Sequence, residues 1–228
     1  MTLHSPISLI RKLFSILYPP RCLCCGKLLP GESPLCPACS ETWGGERKKA
    51  ASPRADGVLY LAPYTKSRSV TRRLVLRAKN SNERRLYLFL AGELAKLLSQ
   101  RSISADFVAG VPRSPSVVRN TGVDQSSLLA RALAKTAGSR YINALKRRRK
   151  ARVQKMLDAA RRADNAALAY RLARKAGKHL AGRTVVLVDD VATTGSTFSA
   201  CEKLLYHAGA ARVFKVAVAA TERTVYKN

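Results

Sequence analysis

Residues 185–197, VVLVDDVATTGST, constrain the fold of this chain more than any other segment. The run of valine and leucine is typical of a buried strand in a parallel sheet. Two adjacent carboxylates, Asp189 and Asp190, follow it, and a hydroxyl-rich loop with one glycine then leads into a segment of helical periodicity. Ligands of open α/β sheets bind beyond the carboxyl ends of the strands. The segment therefore predicts a ligand site at a strand end, with a plain polar turn as the alternative.

The residues of this segment are suited to a sugar phosphate. Backbone N–H groups of such a loop can surround an anion, Gly195 permits the conformation this requires, and the helix N-terminus adds a positive dipole end. An ionised carboxylate only accepts hydrogen bonds, so two of them suit a vicinal diol. The predicted site consists of Asp189, Asp190, Ala192, Thr193, Thr194, Gly195, Ser196 and Thr197.

The same segment resembles the phosphoribosyl pyrophosphate (PRPP) signature of type I phosphoribosyltransferases. The resemblance implies that Asp189 and Asp190 bind the ribose 2- and 3-hydroxyls, that residues 192–197 bind the 5-phosphate, and that Mg²⁺ enters with PRPP. Members that act on 6-oxopurines have an Asp general base where this chain has Thr193. Because a threonine hydroxyl cannot accept a proton as a carboxylate does, hypoxanthine and guanine are disfavoured as acceptors, and the orotate-like motif is closer.

Strands and helices alternate along the rest of the chain, which predicts an α/β fold with a parallel sheet. The predicted strands are residues 58–64, 107–111, 185–188 and 212–219, and the predicted helices are 67–79, 84–98, 126–137 and 197–207. Residues 41–57 are polar and predicted to bury little. The predicted division is an N-terminal helix and cysteine module in residues 1–45, a linker in 46–56, and a phosphoribosyltransferase-like domain in 57–228.

Four cysteines near the N-terminus form two C-x-x-C pairs, Cys22 with Cys25 and Cys36 with Cys39. This spacing allows four thiolates to converge on one Zn²⁺, and four thiolates leave no open position for catalysis. The predicted zinc is therefore structural, holding together a module too small to fold on its own core. A redox dithiol and inert cysteines are the alternatives, and Cys24 is an alternative ligand to Cys25.

The N-terminal segment and the cysteine count bear on location. Residues 3–18 are predicted to form an amphipathic helix packed on the protein, with a membrane-surface role as the alternative. No apolar run approaches the roughly 20 residues that span a bilayer. Without a recognisable export signal, we expect a cytoplasmic protein with reduced thiols.

A four-cysteine module ahead of a phosphoribosyltransferase-like domain resembles the ComF family, which is linked to competence and DNA uptake. The resemblance covers about residues 19–221 and is weakest near Thr121, where the family has arginine. It implies that the loop after the strand at 107–111 and one lysine contact the pyrophosphate, namely Val111, Pro112, Arg113 and Lys79. The other matching residues are Tyr64, Asp124, Gln125, Leu129, Ala130, Gln154, Leu157, Arg162 and Asn165.

The charge of the chain predicts a polyanionic partner. Forty-two Lys and Arg face fourteen Asp and Glu, a formal net charge of +28. Such a surface attracts nucleic acid, and single-stranded DNA suits the family resemblance. Aromatic side chains are sparse there, so the binding is predicted to be weakly sequence-specific, with a solvated face as the alternative. The predicted contacts are Lys146, Arg147, Arg148, Arg149, Lys150 and Arg152.

Three functions fit these features. The first is a PRPP-binding protein of the competence type that acts in single-stranded DNA uptake or processing with other DNA-processing proteins. The second is an active phosphoribosyltransferase, a glycosyltransferase that joins phosphoribose to a nucleobase or amine and releases pyrophosphate. The third is a non-catalytic PRPP-sensing regulator of nucleic acid. The sequence identifies no catalytic residue and no module that would recognise a base.

Overall fold

A computed structural model describes residues 19–50, 52–122, 124–148, 169–174 and 176–221 of the chain. Within these ranges no helix is long and apolar enough to cross a membrane. The helix predicted at residues 3–18 lies outside the described residues. So do four of the residues that carry the family resemblance, Gln154, Leu157, Arg162 and Asn165.

A parallel sheet of five strands forms the centre of the protein, as predicted. The strands of the chain are β1 Val58–Pro63, β2 Phe107–Gly110, β3 Arg140–Tyr141, β4 Leu145–Arg147, β5 Tyr170–Leu172, β6 Thr184–Ala192 and β7 Arg212–Ala220. The sheet has the order β1-β7-β6-β2-β3 and every neighbouring pair is parallel. The remaining strands, β4 and β5, form a separate antiparallel ribbon that the sequence did not predict.

Seven helices are present in the described part of the chain. They are α1 Pro37–Lys48, α2 Val70–Asn80, α3 Arg84–Gln100, α4 Pro115–Thr121, α5 Gln125–Thr136, α6 Gly177–Leu180 and α7 Ser196–His207. The four predicted helices correspond to α2, α3, α5 and α7. The sequence missed α1 because only Cys39 and Trp43 are buried on it, so it lacks a clear apolar stripe.

The sheet is covered on both faces because successive side chains of a strand point to opposite sides. Val186 and Val188 of β6 belong to the core shared with α2, α3 and α5. Val185 and Leu187 belong to the core on the other face, which α7 and the ribbon cover. The continuous apolar run of β6 is thus explained by burial on both faces.

The two neighbours of β6 end at different points, and this positions the ligand site. β2 pairs with β6 only as far as Gly110, opposite Val188. β7 follows β6 further, to Ala220 opposite Ala192. The sequence placed the strand end at Val188, but pairing with β7 carries the strand through both acids to Ala192. A crevice therefore opens beside β6 on the β2 side, starting at Asp189.

Among the described residues of 41–57 only Trp43 is buried, as expected, but the stretch is structured and makes specific contacts. Helix α1 extends to Lys48, and its Trp43 is 4% exposed. The Glu46 carboxylate accepts hydrogen bonds from the backbone N–H groups of Val70 and Thr71, at 2.9 and 2.8 Å, and so caps α2. A polar segment that makes hydrogen bonds to the backbone of a helix end cannot be distinguished by composition from a polar linker that faces water. The domain boundaries at residues 45 and 56 stay a prediction.

We expect Gly110→Ala to destabilise the protein. The added Cβ would lie 2.7 Å from the carbonyl oxygen of Ser126, on α5, and backbone cannot yield there as a flexible side chain would. The expected loss in the free energy of unfolding is about 2 kcal/mol, measured by urea denaturation. The matched control is Gly92→Ala within α3, where a Cβ meets no atom within 4 Å, and it should stabilise by about 0.5–1 kcal/mol. Equal stability of the two variants would contradict the close approach of β2 and α5.

Candidate ligand cleft and metal centre

A cleft of about 300 Å³ opens where β2 ends beside β6. Five parts of the chain line it: the acids of β6, the loop after β2, the ribbon, and the first turns of α4 and α7. The structure thus brings together predicted residues that are far apart in sequence. Those that line the cleft are Val111, Pro112, Arg113, Asp189, Asp190 and Thr197.

Asp190 is the point where the two predicted halves of the site meet. Its Oδ2 lies 2.7 Å from Nη2 of Arg113 and 3.6 Å from Nζ of Lys79. The side chain is only 12% exposed, and a carboxylate so far from water needs charged partners. The cations that the family resemblance assigns to pyrophosphate are therefore held on the acid assigned to the diol. An anionic ligand can displace the Asp190 carboxylate and bind both cations, Arg113 and Lys79.

Asp189 has a different environment from its neighbour. Its Oδ1 accepts hydrogen bonds from Oγ of Ser126, at 3.1 Å, and from the backbone N–H of Asp190, at 2.8 Å. Burial, and then the nearby Asp190 charge, raise the pKa of Asp189 to about 8. The protonated form of Asp189 is thereby favoured, and in that form the carboxyl can donate a hydrogen bond as well as accept one.

The predicted phosphate loop connects β6 to α7. Ala192 is the last residue of β6, and Gly195 precedes α7 with φ +75°, the left-handed region that glycine tolerates. Hydroxyls of Thr194 and Ser196 lie 2.8 Å apart. Gly195, at the N-cap of α7, has no side chain that could accept from the first turn, although the Ser196 N–H donates to Oγ1 of Thr194 at 3.4 Å. The other N–H groups of this turn are suited to an anion.

Four residues at the cleft were not predicted to belong to it: Val117, Ser126, Arg147 and Tyr170. Arg147 and Tyr170 lie on the ribbon, and the Arg147 guanidinium carbon is 5.6 Å from the centre of the Tyr170 ring. Burial raises the pKa of the Tyr170 phenol. Ser126 reaches Asp189 from α5. No sequence signal distinguishes Ser126 from any other serine on an amphipathic helix. Arg147 and Tyr170 lie on strands of three residues, which are too short to show the alternation of apolar and polar residues that predicts a strand.

The four paired cysteines form a compact group. The Sγ atoms of Cys22, Cys25, Cys36 and Cys39 all lie within 4.8 Å of one another, and those of Cys25 and Cys36 are 3.8 Å apart. A tetrahedral zinc with Zn–S bonds of about 2.3 Å requires sulfurs about 3.8 Å apart. The backbone N–H of Cys36 donates to Sγ of Cys22 at 3.3 Å. The group fits a zinc ion, and Cys24 is not part of it.

The cysteine module packs directly on the helices that border the cleft. Its Leu23 is fully buried in the same core as Leu74 and Leu90, on α2 and α3. Arg77 of α2 donates to the carbonyl oxygen of Leu23 at 3.2 Å. Two residues further along α2, Lys79 contacts Asp190. One helix therefore connects the candidate metal centre to the cleft.

The ribbon carries the part of the predicted nucleic-acid surface that the structure describes. Lys146 lies on β4 directly opposite Arg171 on β5, and both side chains are exposed. Arg148 is also exposed, whereas Arg147 lies over Tyr170 at the cleft. The remaining predicted contacts, Arg149, Lys150 and Arg152, lie outside the described residues.

Comparison with known proteins gives matches among solved structures. No protein-family model and no curated protein matches the chain. It is similar to the glutamine PRPP amidotransferase of B. subtilis, with 25% identity and a TM-score of 0.39, over 58% of this chain and 26% of that one. The Leishmania donovani UMP synthase matches with 23% identity and a TM-score of 0.38, over 66% of this chain and 24% of that one. A purine phosphoribosyltransferase of Pyrococcus horikoshii Ot3 matches with 18% identity and a TM-score of 0.37, over 59% of this chain and 81% of that one. The chain spans about a quarter of the first two proteins.

We expect Cys36→Ser to lose zinc, because three thiolates and a serine hydroxyl no longer complete the tetrahedral set. The melting temperature should fall by roughly 5–10 °C, since the module shares its core with α2 and α3. Metal analysis of the purified protein and a thermal melt measure the two effects. Cys24→Ser is the matched control and should retain the metal. A zinc-free wild-type protein of unchanged stability would contradict the assignment.

Proposed function

We propose that the cleft binds PRPP together with Mg²⁺. The observation that carries this proposal is the contact of Asp190 with Arg113 and Lys79 beside Asp189. PRPP has three recognisable parts: a 5-phosphate, a ribose diol and a pyrophosphate. The cleft offers a group for each, with the loop before α7 for the phosphate, the two acids for the diol, and two cations for the pyrophosphate.

Binding exchanges internal ion pairs for contacts with the ligand. Pyrophosphate oxygens take Arg113 and Lys79 from Asp190, which is then free to accept from a ribose hydroxyl. Asp189, held in place by Ser126, contacts the other hydroxyl. Mg²⁺ neutralises part of the pyrophosphate charge and is held mainly by the ligand and water. Because the protein's charges are paired before binding, the empty cleft avoids isolated buried ions.

We further propose a role of the competence type, in which the ribbon binds single-stranded DNA. Lys146 and Arg171 are opposed across the two strands, and like charges at that separation repel each other. An anion that lies across the ribbon relieves this repulsion. Nucleic-acid phosphates suit it best in a chain with a net charge of +28.

A second candidate function is transfer of phosphoribose to an acceptor. The observation that favours it is an apolar surface near the diol acids, which Tyr170 of the ribbon and Val117 of α4 present to the cleft. In that reaction the bond from ribose C1 to pyrophosphate breaks and a bond to an acceptor nitrogen forms. Pyrophosphate release across a panel of nucleobases and amines separates the candidates, since a binding protein releases none.

We expect Asp190→Asn to weaken binding of Mg²⁺-PRPP by roughly 10–100-fold, because the variant cannot make a charge-assisted hydrogen bond to the diol. Isothermal titration calorimetry measures this. The control is Asp106→Asn, at the amino end of β6, where Asp106 accepts from the backbone N–H of Thr184 at 2.9 Å. That variant should bind as the wild type does. Absence of PRPP binding by the wild type would exclude the proposal.

We expect the double variant Lys146→Ala with Arg171→Ala to bind single-stranded oligonucleotide more weakly. The slope of log affinity against log salt should become shallower by about 1.4, because each of the two cations neutralises one phosphate and contributes about 0.7 to the slope. Fluorescence anisotropy over a salt series measures it. Lys203→Ala with Arg212→Ala removes two exposed cations elsewhere and serves as the control. Equal slopes for the two double variants would place the DNA surface away from the ribbon.

A further inference from the structure

We infer that Arg54, which lies outside the cleft, positions the phosphate loop for its ligand. This inference rests on the proposed PRPP site and names a residue on which its phosphate end depends. Arg54 lies in the stretch that composition marked as a linker. Its side chain is only 5% exposed, which is unusual for an arginine unless its donors are all satisfied.

The guanidinium of Arg54 donates hydrogen bonds to three backbone carbonyl groups at the ends of two strands. Nη1 lies 2.8 Å from the carbonyl oxygen of Ala192, 2.7 Å from that of Thr193 and 3.1 Å from that of Thr221. Ala192 ends β6, Thr193 begins the loop, and Thr221 follows β7. One nitrogen atom therefore joins the start of the loop to the ends of both strands.

Asp56 allows this charge to be buried. Its carboxylate accepts from Nε of Arg54 at 3.2 Å and from Nη2 at 2.9 Å, which neutralises the guanidinium and leaves Nη1 for the carbonyls. A tight turn holds the two residues together, with the N–H of Gly57 donating to the Arg54 carbonyl at 2.8 Å. The turn leads into β1, which pairs with β7. The pair is thus fixed relative to the sheet.

The direction of the peptide groups gives Arg54 its effect on the ligand. In a planar trans peptide the carbonyl of one residue and the N–H of the next point in opposite directions. Because Arg54 holds the carbonyls of Ala192 and Thr193, the N–H groups of Thr193 and Thr194 point away from it. Arg54 approaches from the β1 and β7 side, and the cleft lies on the β2 side of β6. Those N–H groups are thereby turned toward the phosphate position.

Gly195 shows how closely the loop rests on this pair. A Cβ on Gly195 would lie 2.1 Å from Oδ2 of Asp56 and 3.6 Å from Nη2 of Arg54. Glycine at this position is thus required by the close approach as well as by its positive φ of +75°. The loop, Arg54 and Asp56 form one packed unit behind the phosphate position.

Lysine cannot replace Arg54 here. A guanidinium presents a planar fork of donors that serves Asp56 and the carbonyls at once, whereas an ammonium is a single point of charge. Arg54→Lys therefore keeps the positive charge but loses the planar arrangement of donors that contacts Asp56 and the carbonyls together. The carbonyls of Ala192 and Thr193 then keep the hydrogen bonds that Thr221 donates, from its N–H at 3.0 Å and from its hydroxyl at 3.2 Å, but lose those of the guanidinium. The loop is held less firmly, and ordering it opposes the binding of a phosphate.

The test measures two ligands that occupy different ends of the cleft. Ribose 5-phosphate and Mg²⁺-pyrophosphate are each titrated as competitors of Mg²⁺-PRPP, on wild type and on Arg54→Lys. We expect the affinity for ribose 5-phosphate to fall about tenfold, since only its phosphate uses the loop. The affinity for Mg²⁺-pyrophosphate, bound by Arg113 and Lys79, should change less than about twofold. A general structural defect would weaken both ligands alike.

The control is Arg183→Lys, which alters a more exposed ion pair at the amino end of β6, where Arg183 lies 3.1 Å from Asp106. It should leave both affinities unchanged. Should Arg54→Lys fail to fold, Arg54→Gln takes its place, because its amide still reaches one carbonyl without burying a charge, and the same split is expected. Unchanged ribose 5-phosphate affinity, or equal weakening of both ligands, overturns the role of Arg54. A wild type that binds no PRPP overturns the proposed function itself.

Discussion

The unequal pairing of β6 is the constraint on which the rest of the site depends. β7 pairs with β6 as far as Ala192, whereas β2 ends at Gly110, opposite Val188 of β6. The backbone at Asp189 and Asp190 is therefore fixed on one side and open on the other. Side chains there are held rigidly enough to define a site and still face a crevice, as expected at the carboxyl ends of parallel strands.

Electrostatics give the two neighbouring acids different roles. Asp190 pairs with Arg113 and Lys79, whereas burial and the Asp190 charge raise the pKa of Asp189 and favour its protonated form. Adjacent carboxylates in one cleft would otherwise repel each other strongly. The ligand-free site is thus neutralised internally, and a ligand that brings both an anion and a diol satisfies all four side chains at once.

The cysteine module contributes to the cleft through α2. Glu46 caps the N-terminus of that helix, and Arg77 ties its last turns to the carbonyl of Leu23. Lys79 projects from the same helix toward Asp190. The candidate metal centre, which lies away from the cleft, is in this way linked to the position of a cation at the cleft.

The sequence by itself determined the parallel α/β fold and the four-cysteine group, and it predicted the phosphate loop, because each is encoded in contiguous residues or short spacings. The apolar run before Asp189 and the two C-x-x-C pairs are examples. Only the tertiary structure decided that Ser126 supports Asp189, that Arg147 and Tyr170 wall the cleft, and that Arg54 holds the loop. Arg54 and Thr193, for instance, are 139 positions apart. Local sequence patterns carry no record of such pairs, since they arise only when the strands that bear these residues are aligned in the sheet.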